Sequence, residues 1–446
     1  MQEKLSPRQL ALIGSTLFGL FFGAGNLIFP LILGAKAGSA LPLALLGLLI
    51  TAVGIPLLGV MSMGISRSEG LLDLSGRVSP AFRILFTCAL YLTIGPLFAI
   101  PRCAATSFTI GISPFAGEKI WLWQLIFTAL FFAAALYFSL KPSKILDSVG
   151  KLLNPAFLLF LGIMLIAALL KPVQSFSSVS PVGDYVNSSF SAGFLQGYDT
   201  LDALASLAFG IIVIRSVRQL GVTEPGRVAV STVKAGAVSM GLMALIYAAT
   251  ALVGAQSCGL YAERLGDSAF TGGDAFAIIA RHYFGSFGAL ILAATVTLCC
   301  LKTAVGLVTS CSETFEEMFP GKLRYPQWAI LFSGVSFLIS NIGLSQIIAF
   351  SAPVLYFLYP LAIVLILLGL FGRFFGHAGR VYRWAMRFTL AAAVLELCRV
   401  VGLEPVMAAA ERFLPLYAYG LGWVVPAAVG FALGLALEKF NCKRTM

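Results

Sequence analysis

The 446-residue chain contains little charge and almost no histidine. Only 11% of its residues are charged, and its two histidines, His282 and His377, are far apart. A soluble protein of this length needs more polar surface, and two isolated histidines exclude a His-rich metal site. The eight cysteines lack metal-binding spacing, and most of them lie within apolar runs. We therefore interpret the cysteines as small buried residues rather than as metal ligands or disulfides.

Long apolar runs make up most of the remaining sequence. Hydrophobic residues account for 59% of the chain. They recur in stretches of about 20 residues, the length that crosses a bilayer as a helix. The first ten residues lack the pattern of a cleaved signal, so we expect the first helix to be retained. The pattern predicts an all-α polytopic membrane protein with 12 transmembrane helices, at 9–34, 40–64, 81–109, 119–140, 151–171, 190–216, 229–254, 274–309, 327–345, 346–371, 383–402 and 414–437.

The basic residues are distributed unevenly between these helices. With a cytoplasmic N-terminus, 21 of the 30 Lys and Arg residues fall on inside segments and six on outside segments, while Arg102, Lys302 and Arg399 lie within helices. Because cytoplasmic segments are enriched in these residues, both termini are predicted to be cytoplasmic. The distribution also explains the net charge of +11 without a nucleic-acid partner. No loop is long enough for a soluble domain, so we expect one membrane domain surrounded by lipid.

The first predicted helix contains residues that can interrupt it. The segment FFGAGNLIFP, at 21–30, has Gly23 and Gly25 beside the polar Asn26. Glycine is a poor helix former, and a helix that opens in the membrane leaves N–H and C=O groups that need partners. In transporters those partners are the substrate and its coupling ion. The alternative is that both glycines pack against another helix and Asn26 bonds to a neighbour.

The sixth predicted helix has a similar composition. Its first half contains Asp199, Asp202 and Ser206, whereas its second half, after Phe209 and Gly210, is apolar and β-branched. It is the fifth helix after the first, an odd offset that places the two halves in opposite orientations. Two interrupted helices in corresponding positions indicate a transporter site. We expect Asp199 at the water interface and assign Asp202, one turn deeper, a structural or gating role.

Eight segments together carry a resemblance to a known family: FFGAGNLIFP at 21–30, GPLFAIPR at 95–102, KILDSVGKLLNP at 144–155, LDALASLAFGIIVI at 201–214, GVTE at 221–224, TAVGL at 303–307, SNIGLSQII at 340–348 and PVLYFLYP at 353–360. They resemble the bacterial branched-chain amino acid:cation symporters, or system II carrier proteins. The resemblance implies a five-plus-five inverted-repeat fold with broken helices 1 and 6, in which 9–171 and 190–371 are the repeats and 383–437 adds two helices.

The resemblance also implies a substrate site. The backbone of Gly23, Ala24 and Gly25 would bind the carboxylate of an amino acid, and unwound carbonyls near Ser206 would accept from its ammonium group. Phe209 and Leu204 would pack on its side chain. The implied function is import of Ile, Leu, Val and, as a further candidate, Met across the bacterial inner membrane.

Sodium is the implied coupling ion, and no other cofactor is expected. One sodium would be bound by Asn26 with the substrate carboxylate, and a second by the carbonyls of Gly19 and Phe22 with the hydroxyl of Thr303. Lys302, beside Thr303, departs from the neutral residue expected there. If its ammonium group points inward, it replaces a sodium and makes transport sodium-independent or proton-coupled. If it points elsewhere, it pairs with an acid or reaches the interface.

Other classes of membrane protein fit the sequence less well. A channel needs a continuous polar lining, but the polar residues here are concentrated at two breaks. An enzyme needs a nucleophile–base pair or clustered ligands, which the sequence lacks, so no enzymatic activity is expected. A receptor derived from a transporter, or a carrier for another neutral amino acid, stays open.

Overall fold

The computed structural model describes residues 5–68, 70–141, 145–222 and 224–442. Lys4, Lys144, Lys443 and Arg444, four of the bases counted on inside segments, lie outside these residues, as does Thr223 of the GVTE motif. Within the described ranges the chain forms 18 α-helices: α1 (Pro7–Phe21), α2 (Ala24–Ala37), α3 (Leu41–Leu49), α4 (Ile55–Ser66), α5 (Leu71–Gly76), α6 (Pro80–Leu92), α7 (Ala99–Gly111), α8 (Ile120–Ser139), α9 (Ile145–Leu170), α10 (Tyr185–Gln196), α11 (Asp202–Gln219), α12 (Pro225–Gln256), α13 (Gly272–Met318), α14 (Tyr325–Ser340), α15 (Leu344–Phe371), α16 (Gly379–Val401), α17 (Glu404–Phe413) and α18 (Val424–Cys442).

The chain is an all-helical, multi-pass membrane protein. Six helical segments of the described chain are long and apolar enough to cross a bilayer: Ala24–Ser66, Pro80–Phe115, Gly117–Ser139, Gly226–Gln256, Gly272–Met318 and Leu344–Phe375. The helices Tyr185–Thr200 and Asp202–Gln219, which are bent by 45° at the break between them, form a seventh span if the pair is counted as one. The number of twelve stays a prediction, because elements such as α1, with 15 residues, are too short to cross a bilayer alone.

The chain leaves the helical conformation between α1 and α2. The start of α1 is capped by Ser6, whose side chain accepts from the backbone N–H of Gln9. After Phe21 the backbone is extended at Phe22 (ψ 106°) and at Gly23, and α2 starts at Ala24. The Oδ1 atom of Asn26 accepts from the Gly23 N–H at 2.8 Å and so caps α2 from within its first turn. The interruption lies at the glycine segment selected from the sequence.

A second interruption precedes α11. A short turn of 3₁₀-helix covers Gly197–Thr200, and Leu201 then has φ +66°, in the left-handed region. Leucine rarely adopts this conformation, so the backbone here is strained, and such strain is common at functional sites. Asp202 follows as the first residue of α11.

The helices beside the two breaks pack closely on neighbouring helices. α2 contacts α12, α11 contacts α4, and α10 contacts α3. A Cβ built on Gly34 of α2 would lie 1.8 Å from the carbonyl oxygen of Ala251, and one on Gly254 of α12 would lie 2.0 Å from that of Leu31. Glycine is therefore required at both positions, because the two backbones touch there.

Candidate functional site at the two helix breaks

A small cavity lies where the two breaks meet. Its volume is about 40 Å³, which corresponds to about three water molecules. Arg102 of α7 and the strained Leu201 also line it. The residues predicted from the sequence that line it are Gly23, Ala24, Gly25, Asn26, Asp202, Phe209 and Thr303. The structure thus brings most of the predicted site residues together.

Asn26 connects the two breaks. Its Nδ2 atom donates to both carboxylate oxygens of Asp202, at 3.0 and 2.9 Å, and also contacts the hydroxyl of Tyr247. The Tyr247 hydroxyl donates to Asp202 Oδ2 at 2.6 Å. Asn26 therefore bonds to neighbouring helices, as one of the two alternatives drawn from the sequence expected, and it also lines the cavity.

Asp202 is a buried acid surrounded by donors. Its side chain is only 1% exposed, and it stands at the first position of α11. The positive end of a helix dipole stabilises a carboxylate placed there. Together with the donors from Asn26 and Tyr247, this offsets part of the cost of burying a charge in a membrane protein.

Two of the candidate sodium ligands lie side by side. The Thr303 hydroxyl donates to the carbonyl oxygen of Phe22 at 3.2 Å, and Cys299 Sγ approaches the same oxygen at 3.5 Å. Gly19 is buried one turn earlier in α1, outside the cavity lining. Lys302 is half-buried on α13 and also lies outside the lining.

Leu204 and Ser206 lie away from the cavity. The Ser206 hydroxyl donates to the Ala203 carbonyl at 2.7 Å and packs against α4, where a Cβ on Gly59 would lie 1.9 Å from it. Leu204 is fully buried and does not line the cavity. Phe209 lines the cavity and contacts Phe21 edge-on, with ring centroids 5.8 Å apart.

The predicted interfacial residue Asp199 lines a second, larger cavity. This cavity has a volume of about 670 Å³ and is also lined by Lys36, Asp184 and Gln196. The Asp199 carboxylate accepts from the side-chain amide of Gln196 at 2.7 Å. Asp199 is half-buried, and its backbone carbonyl accepts from Arg102, which lines the small cavity.

The sequence analysis missed Arg102 and Tyr247. Arg102 was counted only as a base within a helix, although an ionised residue at membrane depth is by itself a sign of a functional site. It is 3% exposed, and its Nη1 donates to the carbonyl oxygen of Asp199 at 2.7 Å. Tyr247 gave no comparable signal, because a single tyrosine in an apolar helix is ordinary.

Comparison with known proteins gives one consistent result. The family described as branched-chain amino acid transport protein matches residues 6–441. The chain is 51% identical to the branched-chain amino acid permease BrnQ of Lactobacillus delbrueckii subsp. lactis, over all of both chains. It is 40% identical to BrnQ of Bacillus subtilis (strain 168), over 99% of this chain and 100% of that one.

Solved structures support the fold alone, because their identities are low. Mhp1, a nucleobase-cation-symport-1 family transporter in a closed conformation with bromovinylhydantoin bound, aligns with a TM-score of 0.61 at 15% identity, over 97% of this chain and 93% of that one. MhsT in complex with L-phenylalanine aligns with a TM-score of 0.56 at 16% identity, over 90% of this chain and 99% of that one. The relatives are named as permeases, which makes this chain a transporter and not an enzyme. Matched along almost its whole length, it belongs to the family of branched-chain amino acid transport proteins.

Proposed function

We propose that the chain imports Ile, Leu and Val, with Met as a further candidate, across the bacterial inner membrane by sodium-coupled alternating access. The observation that carries this proposal is the cavity at the two helix breaks, where the first turns of α2 and α11 meet. Helix N-termini that face one another across a cavity supply donors for an anionic group. The cavity holds about three waters, so an amino acid of nine non-hydrogen atoms requires it to open, as alternating access provides.

The proposed architecture is twelve spans in a five-plus-five inverted repeat. Span 1 comprises α1 and α2, and span 6 comprises α10 and α11. In an inverted repeat, the contact between α2 and α12 corresponds to the contact between α11 and α4. The contact between α10 and α3 likewise corresponds to the contact between α1 and α12. All four contacts occur, which supports repeats at 9–171 and 190–371, with two added helices at 383–437.

The proposed substrate contacts follow the chemistry of the lining. The N–H groups of Ala24 and Gly25 are directed to the carboxylate, while that of Gly23 is used by Asn26. Ser206 supplies no unwound carbonyl, because it lies inside α11 and its hydroxyl faces α4. Phe209 lies against the side chain, and Leu204 supports that surface from behind. Each methylene contributes only about 1 kcal/mol, so discrimination among branched chains is modest and charged side chains are rejected.

The proposed sodium sites use hard oxygen ligands. The adjacency of Thr303 Oγ1 and the Phe22 carbonyl, 3.2 Å apart, supports one site, with Gly19 behind it. The second site uses the Asn26 side chain with the substrate carboxylate. The alternative is sodium-independent or proton-coupled transport in which Lys302 replaces one ion. It requires the Lys302 side chain to turn toward Thr303.

Uptake of labelled isoleucine into proteoliposomes tests the function. We expect competition by Leu and Val and none by charged amino acids, and we expect replacement of sodium by choline at fixed pH to abolish uptake. Full uptake in choline would favour the alternative in which Lys302 replaces a sodium ion. In that case, Lys302→Met should abolish the uptake measured in choline. Competition by polar or charged amino acids as effective as that by Leu would refute the proposed substrate class.

Substitutions in α2 test the site. Asn26→Leu and Gly25→Leu should each abolish uptake while the protein remains folded and inserted, because one removes the link to Asp202 and the other displaces Arg102. Gly241→Ala is the control, since a Cβ there has no neighbour within 4 Å. Normal uptake in both α2 variants would place the substrate elsewhere.

A further inference from the structure

Two buried side chains of opposite charge line the small cavity without forming an ion pair. Arg102 is 3% and Asp202 1% exposed. Among the described residues, no carboxylate oxygen lies within the 4.0 Å ion-pair distance of the Arg102 guanidinium. A buried charge without a counterion is costly, so each of these residues is suited to a ligand that brings the opposite charge.

Arg102 is directed at the start of α2. Its Nη1 is held by the carbonyl of Asp199 at 2.7 Å, and its guanidinium lies 5.0 Å from the centre of the Phe29 ring. A Cβ built on Gly25 would lie 2.8 Å from its Nη2, so the absence of a side chain at Gly25 leaves this nitrogen beside the backbone. The Gly25 N–H makes no hydrogen bond within the described chain. A guanidinium and the unbonded Gly25 N–H thus lie close together at the positive end of a helix, which suits an anion.

Asp202 supplies the opposite pole of the same cavity. Three hydrogen bonds reach its carboxylate, two from Asn26 and one from Tyr247. These donors are neutral, so none of them compensates the negative charge of a carboxylate. An ammonium group that entered the cavity would compensate it.

We propose that Arg102 is a substrate-binding residue that receives the carboxylate of the amino acid together with the Gly25 N–H, while Asp202 receives its ammonium group. This assignment rests on the proposed function, and it adds side-chain charges to a site that the sequence placed on backbone atoms alone. The cavity then recognises the zwitterion by its two poles and the side chain by its apolar lining. Arg102 thereby separates α-amino acids from amines, and Asp202 separates them from fatty acids of similar shape.

The first test uses the unchanged protein. In the solubilised full-length chain, labelled isoleucine is displaced by isoleucinamide, which lacks the carboxylate, or by 3-methylpentanoate, which lacks the ammonium group. We expect each analogue to bind roughly 30-fold or more weakly than isoleucine, because each leaves one buried charge unpaired. Equal affinity for isoleucine and isoleucinamide would overturn the proposal.

The second test pairs variants with the analogues. Arg102→Met should weaken isoleucine binding but leave isoleucinamide binding unchanged or tighter, so that the ratio of the two affinities falls toward one. Arg102→Lys should restore part of the preference for isoleucine. Asp202→Asn should likewise bring the affinity for isoleucine closer to the affinity for 3-methylpentanoate. Arg399→Met is the control, because Arg399 lies on α16 and pairs with Glu396 at 3.3 Å.

Two outcomes would contradict the assignment. If Arg102→Met binds isoleucine normally, or loses isoleucine and isoleucinamide by the same factor, Arg102 is a structural residue or holds an inorganic anion. If Arg102→Met does not fold, Arg102→Lys and the binding of the two analogues to the unchanged protein still test the role of Arg102. Absence of isoleucine uptake by the unchanged chain would refute the proposed function instead. Failure of the proposed function can therefore be distinguished from failure of the Arg102 assignment.

Discussion

At the scale of single residues, three polar side chains fix the relative position of the two breaks. Asn26, Asp202 and Tyr247 come from three helices and are joined by hydrogen bonds with little access to solvent. A buried donor or acceptor left without its partner costs about 1–3 kcal/mol. The cluster therefore favours the one arrangement in which all its groups are paired.

Tyr247→Phe should lower both stability and transport. The change removes one donor from Asp202 and one acceptor from Asn26 without changing the shape of the ring. We expect a loss of about 1–3 kcal/mol in stability and reduced isoleucine uptake, measured by thermal unfolding in detergent and in proteoliposomes. Tyr185→Phe is the control, because the Tyr185 hydroxyl makes one long bond of 3.3 Å to Gln196 outside the small cavity. If Tyr247→Phe and Tyr185→Phe had the same stability and uptake, the cluster would not fix the relative position of the two breaks.

The members of this cluster were predictable from the sequence only in part. Asn26 and Asp202 stand out as polar residues at membrane depth, and both were selected. Their direct contact was not predictable, because 176 residues separate them and no local pattern reports such a pairing. Arg102 carried a signal that was not used, whereas Tyr247 carried none.

At the scale of helices, glycine determines how closely the elements approach. Gly34 and Gly254 let α2 and α12 touch, and Gly47 and Gly193 do the same for α3 and α10, where added Cβ atoms would lie 2.2 and 1.9 Å from carbonyl oxygens. Close backbone contact increases van der Waals packing, which replaces the hydrophobic effect as the force between helices in lipid. These contacts position both breaks.

Gly254→Ala and Gly241→Ala should have opposite effects, although both lie on α12. The first places a Cβ 2.0 Å from the Leu31 carbonyl oxygen, whereas the second meets no atom within 4 Å. We expect Gly254→Ala to destabilise by about 1–3 kcal/mol through overpacking. Gly241→Ala should be neutral or stabilise by up to about 1 kcal/mol through helix propensity. Thermal unfolding measures both, and equal melting temperatures would mean that α2 and α12 separate without cost.

Composition located the first interruption, but the second only approximately. Gly23 and Gly25 marked the first break, and α2 starts between them at Ala24. Unwound backbone was expected near Ser206 in the sixth span, but the break lies earlier, at Gly197–Leu201, and Ser206 is inside α11. Nothing in the sequence predicts φ +66° at Leu201, because leucine disfavours it and only the surrounding contacts can impose it.

At the scale of the whole molecule, a polar contact joins a loop of the first predicted repeat to the segment that follows the second. Arg77, between α5 and α6, donates to Nδ1 of His377 at 2.7 Å and to the carbonyl of Ser66 at 2.8 Å. His377 lies between α15 and α16, outside the membrane-spanning segments. Since the guanidinium can only donate, this contact requires an unprotonated Nδ1. Protonation of His377 therefore breaks the link.

Stability should depend on pH through His377. Burial, followed by the charges of Arg77 and Arg373, lowers the pKa of His377 below its ordinary value of 6.5. A depressed pKa means that the stabilisation is complete above the unfolded value and is lost as the pH falls through the folded one. The melting temperature should therefore fall more between roughly pH 7.5 and pH 5 in the unchanged protein than in His377→Asn, which keeps an acceptor and does not titrate.

Asparagine is a suitable replacement for a second reason. His377 has φ +53°, and Asn tolerates this left-handed conformation better than most residues, so the variant isolates the titration from backbone strain. His282→Asn controls for histidine in general, because His282 is exposed and should leave the pH dependence unchanged. If His377→Asn lost as much stability on acidification as the unchanged protein, the acid sensitivity would arise elsewhere, and the Arg77–His377 contact would not stabilise the connection between the first predicted repeat and the segment that follows the second.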